Sequence, residues 1–432
     1  MGTALAYRTW GILMKIFYAR SRMPWLLMVV AVTAHAADGA LTLEEAVALA
    51  VRTAPQVAAK QAVIEGAQAM TANAGRLPDP ELVAGVDNLP TNGPDAYSFG
   101  NDFMTMRKVG VMQSFPSGRK RDAQRQRAQA SVSVADSEGA QARLEVAQGA
   151  AEAWVSVHAA EASLKSLQEL KPDLDLQAEA SRAAVAGDRA TVSDAVSLQA
   201  AVADLDDRLL QVRRDVEVGR AELRRWIGEA ADRTLAPAPA FGRLPAGREE
   251  ILATLHHHAE LKAYDARISA AQSDVVLASA DRHPDWSAEL DYARRGAAFS
   301  DMVTLEFRVG LPLWPHDRQD PVIRERMAAV RKLEADRDAA LKMHASEVTQ
   351  MLENWEAARA RLELYERVRL PLAHQRSQLA LASFQAGRMD LRSTLASFAD
   401  EIELRRTHAE LLANLGHSWA FLSYLTSAGE AP

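Results

Sequence analysis

The chain contains no cysteine. That excludes a disulfide framework, a thiolate metal centre and a lipidated cysteine behind an export signal. Aromatic residues are scarce at 6%, and long stretches run without glycine or proline, which favours long helices over a thick globular core. Beyond the N-terminus no segment approaches the roughly 18 continuous apolar residues of a membrane helix. Any entry into a membrane would therefore be by strands. Also missing are G-x-S-x-G, H-E-x-x-H, a phosphate-binding loop and a dinucleotide fingerprint. The chain is read as a non-enzyme without a cofactor or a nucleotide site.

What is present begins with a targeting segment. Arg8, Lys15, Arg20 and Arg22 precede the short apolar run Pro24–Val32, and Ala34-His35-Ala36 supplies a small-residue cleavage site. Residues 1–36 are read as a signal peptide. Their removal takes away four positive charges and no acid, so the formal net charge moves from −7 to −11. A mature chain this acidic argues against a nucleic-acid partner.

The mature region is written twice. Ala54-Pro55-Gln56-Val57 with Gln68 matches His258-Ala259-Glu260-Leu261 with Gln272, and the same offset carries Pro80 onto Pro284. Trp154 then matches Trp355, Pro172 matches Pro371, and Ala186-Gly187 matches Ala386-Gly387. A repeat of roughly 200 residues duplicates a whole unit, far above solenoid periods. The first copy is assigned to residues 37–240 and the second to 241–426, joined by a Pro/Ala/Gly-rich linker near 229–247. Residues 427–432 are expected to be a disordered tail.

Each copy reads as a helix, two short strands, a very long helix, a glycine turn and a return helix. Thr42 and Glu45 have capping-box spacing ahead of the first helix. Strands are expected at 81–88 and 107–115, and at 285–292 and 302–310. In the last of these Val303, Leu305, Phe307 and Val309 alternate with Thr304, Glu306 and Arg308. The long helices are expected from Arg119 to about Ala186 and from Pro321 to about Ala386, kinked at Pro172 and Pro371.

Four strands in a lipid bilayer cannot leave a sheet edge open, because the bilayer core offers no water to hydrogen-bond it. Four are also too few to close a hollow barrel. Several chains must each contribute four; three would give twelve. The polar strand faces would then line an aqueous lumen and the apolar faces would meet lipid.

Three motifs carry a resemblance over nearly the whole mature length. Leu41-Thr42-Leu43-Glu44-Glu45-Ala46 with Ala54-Pro55-Gln56-Val57 is similar to the opening helix and turn of the TolC-like outer-membrane efflux factors. Phe384-Gln385-Ala386-Gly387 is similar to their helical tip turn. Gln113-Ser114-Phe115-Pro116-Ser117-Gly118-Arg119-Lys120-Arg121 resembles the basic passage from strand to helix in the heavy-metal branch. The resemblance implies a mostly helical chain with a small transmembrane β part. Duplicated long-helix hairpins would form a periplasmic α-barrel, and a homotrimer would build a twelve-stranded outer-membrane β-barrel. It implies a periplasmic adaptor and an inner-membrane, proton-driven efflux pump as partners, with copper/silver or cobalt/zinc/cadmium as cargo. Only Asp390 follows the second tip glycine closely, so the acidic constriction of drug-efflux members is not carried over.

Candidate sites follow from these readings. The tip residues Gly187, Asp188, Arg189, Asp194, Gly387, Arg388, Asp390 and Arg392 are candidates for adaptor contact and for a gate of ion pairs. Such surface pairs are individually weak, about 0–1 kcal/mol, so the gate would open readily. Arg119, Lys120 and Arg121 are placed at the membrane–periplasm boundary, facing outer-membrane lipid phosphates. Trp286, Tyr292, Phe299 and Trp314 are candidates for an aromatic girdle. His256-His257-His258 cannot share one ion in ideal helical geometry, since consecutive side chains diverge by about 100°. They are read as packed or solvated, and Met104, Met106, Met112 and Met302 as packing rather than soft copper ligands. No metal site is assigned. Two other functions remain open: a drug-efflux or protein-secretion duct of the same architecture, and a pore-less periplasmic coiled-coil adaptor.

Overall fold

The computed structural model describes residues 39–187 and 191–425. The segment read as a signal peptide, Asp188, Arg189 and the expected tail at 427–432 lie outside the described residues. The compact unit beginning at Ala40 runs as α1 (Leu43–Thr53), α2 (Pro55–Asn73), β1 (Glu81–Asp87), β2 (Met106–Phe115), α3 (Gly118–Gln168), α4 (Lys171–Ala186) and α5 (Val192–Ile227). It then repeats as α6 (Arg248–Ala253), α7 (Ala259–Ala280), β3 (Trp286–Arg294), β4 (Met302–Val309), α8 (Pro315–Leu364), α9 (Leu370–Gln385) and α10 (Leu391–Ser423). The duplication read in the sequence is thus a duplication of element order.

The opening helix is broken in two. Pro55 disfavours the helical region for the residue before it, and Ala54 is extended with ψ 123°. Pro55 then starts α2, where its missing N–H costs nothing. Thr42 caps α1, accepting from the Glu45 amide at 3.1 Å. The Glu45 carboxylate does not close the expected box; it pairs with Arg233 at 2.7 Å and so ties α1 to the end of the first repeat.

Helix α3 has 51 residues, about 75 Å at 1.5 Å per residue. It packs against α1, α2, α5, α7 and α10, and much of its buried face is alanine, which lets neighbouring helices approach closely. The expected kink at Pro172 is a clean break: α3 ends at Gln168 and Pro172 sits in the first turn of α4. At the equivalent Pro371 the chain passes through a π-helical turn, Tyr365–Arg369, whose wider spacing accommodates the proline. The second long helix does not begin at Pro321 as expected. It begins at Pro315, which already supplies a first-turn proline, and Pro321 lies inside it.

The largest core gathers around the matched tryptophans. Trp154 and Trp355 are buried with Leu41, Leu43, Leu223, Val348, Leu352 and Leu415. The linker between repeats is pinned rather than loose. Leu41 pairs with Leu235 as a parallel bridge, its amide donating to Thr234 at 2.8 Å and its carbonyl accepting from Ala236 at 2.9 Å.

The strands form one antiparallel sheet in the order β1-β2-β3-β4. The two repeats join at its centre, Gly110 facing Asp291 and Phe115 facing Trp286. Among the described residues, β1 and β4 each have a single partner strand, so both edges of the sheet are open.

Candidate functional site

Alternation and register sort the sheet into two faces. Leu82, Ala84 and Val86 lie in line with Val109 and Val111, then Ala288, Leu290 and Tyr292, then Val303, Leu305, Phe307 and Val309. This apolar face is bare: Leu82 is 76% exposed, Val303 69% and Phe307 63%. So large a continuous apolar surface marks an interaction surface or a membrane.

The opposite face carries charge. Glu81, Asp87, Lys108, Glu289, Asp291, Glu306 and Arg308 share it, five carboxylates against two cations. Arg308 binds Glu289 at 2.6 Å and Glu306 at 2.7 Å, while Lys108 reaches Asp87 at 3.4 Å and Glu289 at 3.8 Å. Asp291 is buried against the bare Cα of Gly110, where a Cβ would fall 1.9 Å from its Oδ1. That oxygen has no hydrogen-bond partner among the described residues.

At the far end of the helices the second tip turn is fully described. Gly387 has φ +68°, and the amides of Gly387 and Arg388 close the end of α9 on the carbonyls of Phe384 (2.9 Å) and Ser383 (2.8 Å). Asp390 then caps α10, accepting from the Ser393 amide at 2.9 Å and its hydroxyl at 2.8 Å. The Ser393 amide, with its hydroxyl, holds the Asp390 carboxyl below its usual range. In α5 the N-cap is Thr191, and Asp194 completes a capping box with it: its carboxylate accepts from the Thr191 amide at 3.2 Å while its own amide donates to the Thr191 hydroxyl at 3.1 Å. Both acids are engaged as caps within the chain. Gly187 ends α4 with φ −100°, an ordinary conformation, and Arg388 and Arg392 are exposed.

Where strands meet helices, the basic run binds the other repeat. Lys120 pairs with Asp281 at 2.8 Å and Asp285 at 3.2 Å, and Arg119 donates to His283 at 2.7 Å. The bonds from Asp281 and Asp285 raise the Lys120 pKa. Arg127 pairs with Asp274, and the Nε of Arg121 is buried without a partner among the described residues. A run read as lipid-facing is, at Lys120, a clamp between repeats.

No protein-family model matches this chain, and no curated protein matches its sequence. Solved structures do. The outer membrane protein VceC from Vibrio cholerae is 19% identical, covering 89% of this chain and 96% of its own with a TM-score of 0.73. A membrane protein from Pseudomonas aeruginosa is 14% identical over 89% and 90%, with a TM-score of 0.77. The Campylobacter jejuni CmeC outer membrane channel is 11% identical over 90% and 86%, with a TM-score of 0.74. The fold is that of outer-membrane channels.

Within this channel fold the aromatic candidates separate. Trp286 and Tyr292 lie on the apolar face at opposite ends of β3, Trp286 stacked on Phe115 with centroids 4.1 Å apart. Trp314 stands exposed at the start of α8, whereas Phe299 lies in the β3–β4 loop beneath Arg295. Among the described residues no group of three or more His, Asp or Glu is placed to hold a metal ion, and no helix is long and apolar enough to cross a membrane.

The channel fold also contains two polar clusters that no motif announced. His258 is buried and shares a 2.7 Å hydrogen bond with His344 of α8, whose other ring nitrogen lies 3.3 Å from Glu260. Burial, then the neighbouring His344, push the His258 pKa down to about 4. Glu401 in α10 is fully buried, where desolvation alone would raise its pKa. Ser377 and Arg405, the latter at 2.7 Å, more than offset this and hold it below the usual range. Arg405 also donates to the Ser166 carbonyl at 3.1 Å, binding α10 to α3.

Proposed function

We propose that this protein is the outer-membrane exit duct of a tripartite efflux system, a homotrimer reaching from the outer membrane into the periplasm. The observation that carries the reading is the four-stranded sheet: both edges open, one face apolar and bare, the other charged. Such a sheet is unstable alone in a bilayer and is completed by edge-to-edge pairing with further copies. Strands β2 and β3, with 10 and 9 residues, match the roughly 9–11 that a tilted transmembrane strand needs. Three copies give a twelve-stranded barrel with the charged face inward, and the long helices continue the wall into the periplasm. The tip turns at Gly187 and Gly387 with Arg388 and Arg392 meet a periplasmic adaptor, which couples the duct to an inner-membrane pump. Conduction is passive.

The cargo we propose is a heavy-metal cation, copper/silver or cobalt/zinc/cadmium. Two features support it: the sequence likeness of Gln113–Arg121 to the heavy-metal branch, and an inner face with a surplus of carboxylates. Planar bilayers test the duct itself: membrane-extracted, folded protein should conduct, and a sealed bilayer would overturn the reading. Metal and drug sensitivity of a deletion strain tests the cargo. Sensitisation to drugs but not to metal salts would replace the metal with a drug.

A further inference from the structure

Arg107 and Arg294 stand directly opposite each other across the β2–β3 ladder. Both are exposed, and both belong to the apolar face, in the row beyond Val109 and Tyr292 at the hairpin-loop end. Like charges placed opposite each other on a sheet repel and cost stability unless something neutralises them. Neither guanidinium forms an ion pair with a described residue. Asp301 softens the field, but its oxygens are taken by the Tyr292 hydroxyl and the Arg295 amide, the latter at 3.3 Å. The adjacent Arg295 is spent on the loop carbonyls of Ser300 at 2.7 Å and Phe103 at 3.3 Å. Two free planar donor forks therefore crown a surface of Val109, Leu290, Leu305 and Phe307.

We infer that Arg107 and Arg294 dock the phosphate of a lipid headgroup in the leaflet that the hairpin loops face. Guanidinium forks match phosphate oxygens two at a time, and a pair of them is stronger than a point charge. Continuity with the apolar band selects a lipid over free phosphate: acyl chains lie along Val109 and Leu290 while the headgroup meets the arginine row. The inference rests on the membrane-spanning reading of the sheet. On that reading the loops face the exterior, and the outer leaflet there consists largely of phosphorylated glycolipid.

The test uses the full mature protein in detergent, with lipid binding read by native mass spectrometry and thermal unfolding. Diphosphoryl lipid A should bind and raise the melting temperature, and its dephosphorylated counterpart should bind at least about tenfold more weakly to the wild-type protein. Millimolar inorganic phosphate should not displace it. R107Q/R294Q should lose about tenfold in affinity for diphosphoryl lipid A, and R107K/R294K, which keeps charge without the fork, should fall between. Equal binding of the two lipids by wild type, equal affinity in R107Q/R294Q, or displacement by inorganic phosphate would each overturn the inference. Conductance separates the two readings. Silent wild-type bilayers sink the duct, whereas conducting wild-type protein with indifference to the phosphate sinks only this site.

Discussion

Trp355 donates its indole N–H to the carbonyl of Phe241 across 2.8 Å, the same bond that Trp154 makes to Leu41 across 3.1 Å. Leu41 and Phe241 each lie ahead of the first helix of a repeat, Leu41 in a bridge and Phe241 in a turn. The matched tryptophans therefore perform one task twice, seating the entry of each copy on its own long helix. Replacing Trp355 with Phe keeps most of the apolar volume but strands a buried carbonyl. The expected cost is about 1–3 kcal/mol, seen as a lower melting temperature, and Trp154→Phe should cost less because the Leu41 carbonyl keeps the Ala236 amide as a donor.

Gly110→Val should abolish assembly of the sheet. The added Cβ would fall 1.9 Å from Asp291 Oδ1 and 2.6 Å from the Leu290 carbonyl, and the second is backbone that cannot step aside. The measurement is the yield of folded, heat-modifiable protein in the outer-membrane fraction. Normal yield would show that the central pairing of β2 with β3 is wrong.

The two tip glycines should respond differently to the same change. Gly387 has φ +68°, where a side chain costs about 1–2 kcal/mol, while Gly187 at φ −100° tolerates one. Gly387→Ala should destabilise the tip and weaken adaptor cross-linking; Gly187→Ala should leave both near wild type.

On the duct reading, E289Q with D291N removes two of the five carboxylates on the inner face. Cation preference should fall, read as a smaller reversal potential in a salt gradient across a planar bilayer. An unchanged reversal potential would place the selectivity elsewhere.

Acid should destabilise the fold through His258. Its pKa in the folded protein is about 4 against an ordinary 6.5, so between these values the unfolded chain binds the extra proton. Stability present above about pH 6.5 is therefore lost progressively as the pH falls toward 4. Thermal unfolding across this window should show the decline, and His258→Phe should flatten it.

Much of the architecture was legible locally. Strand limits matched to within two residues because Val303–Val309 and their counterparts alternate cleanly, and the matched glycines marked both tips. Asp390 with Ser393 and Thr191 with Asp194 carried a capping signature that could have been read in advance. The start of α8 was missed because Pro315 and Pro321 are both acceptable first-turn prolines, and only the packed helix chooses between them. The pairing of Lys120 was not legible because Asp281 and Asp285 lie about 160 residues away in the chain.

The order of helices and strands, the duplication and the polarity of each strand face are properties of the sequence itself. They reside in hydrophobic periods of 3.6 and 2 and in turn residues, all of which act over a few positions. Which residues meet was decided only by the tertiary structure. The β2–β3 register puts Arg107 opposite Arg294 and Asp291 against Gly110, and helix packing puts His258 on His344. A one-residue slip between β2 and β3 would have preserved every local period and broken both strand pairs, because register is set by the packing of whole faces.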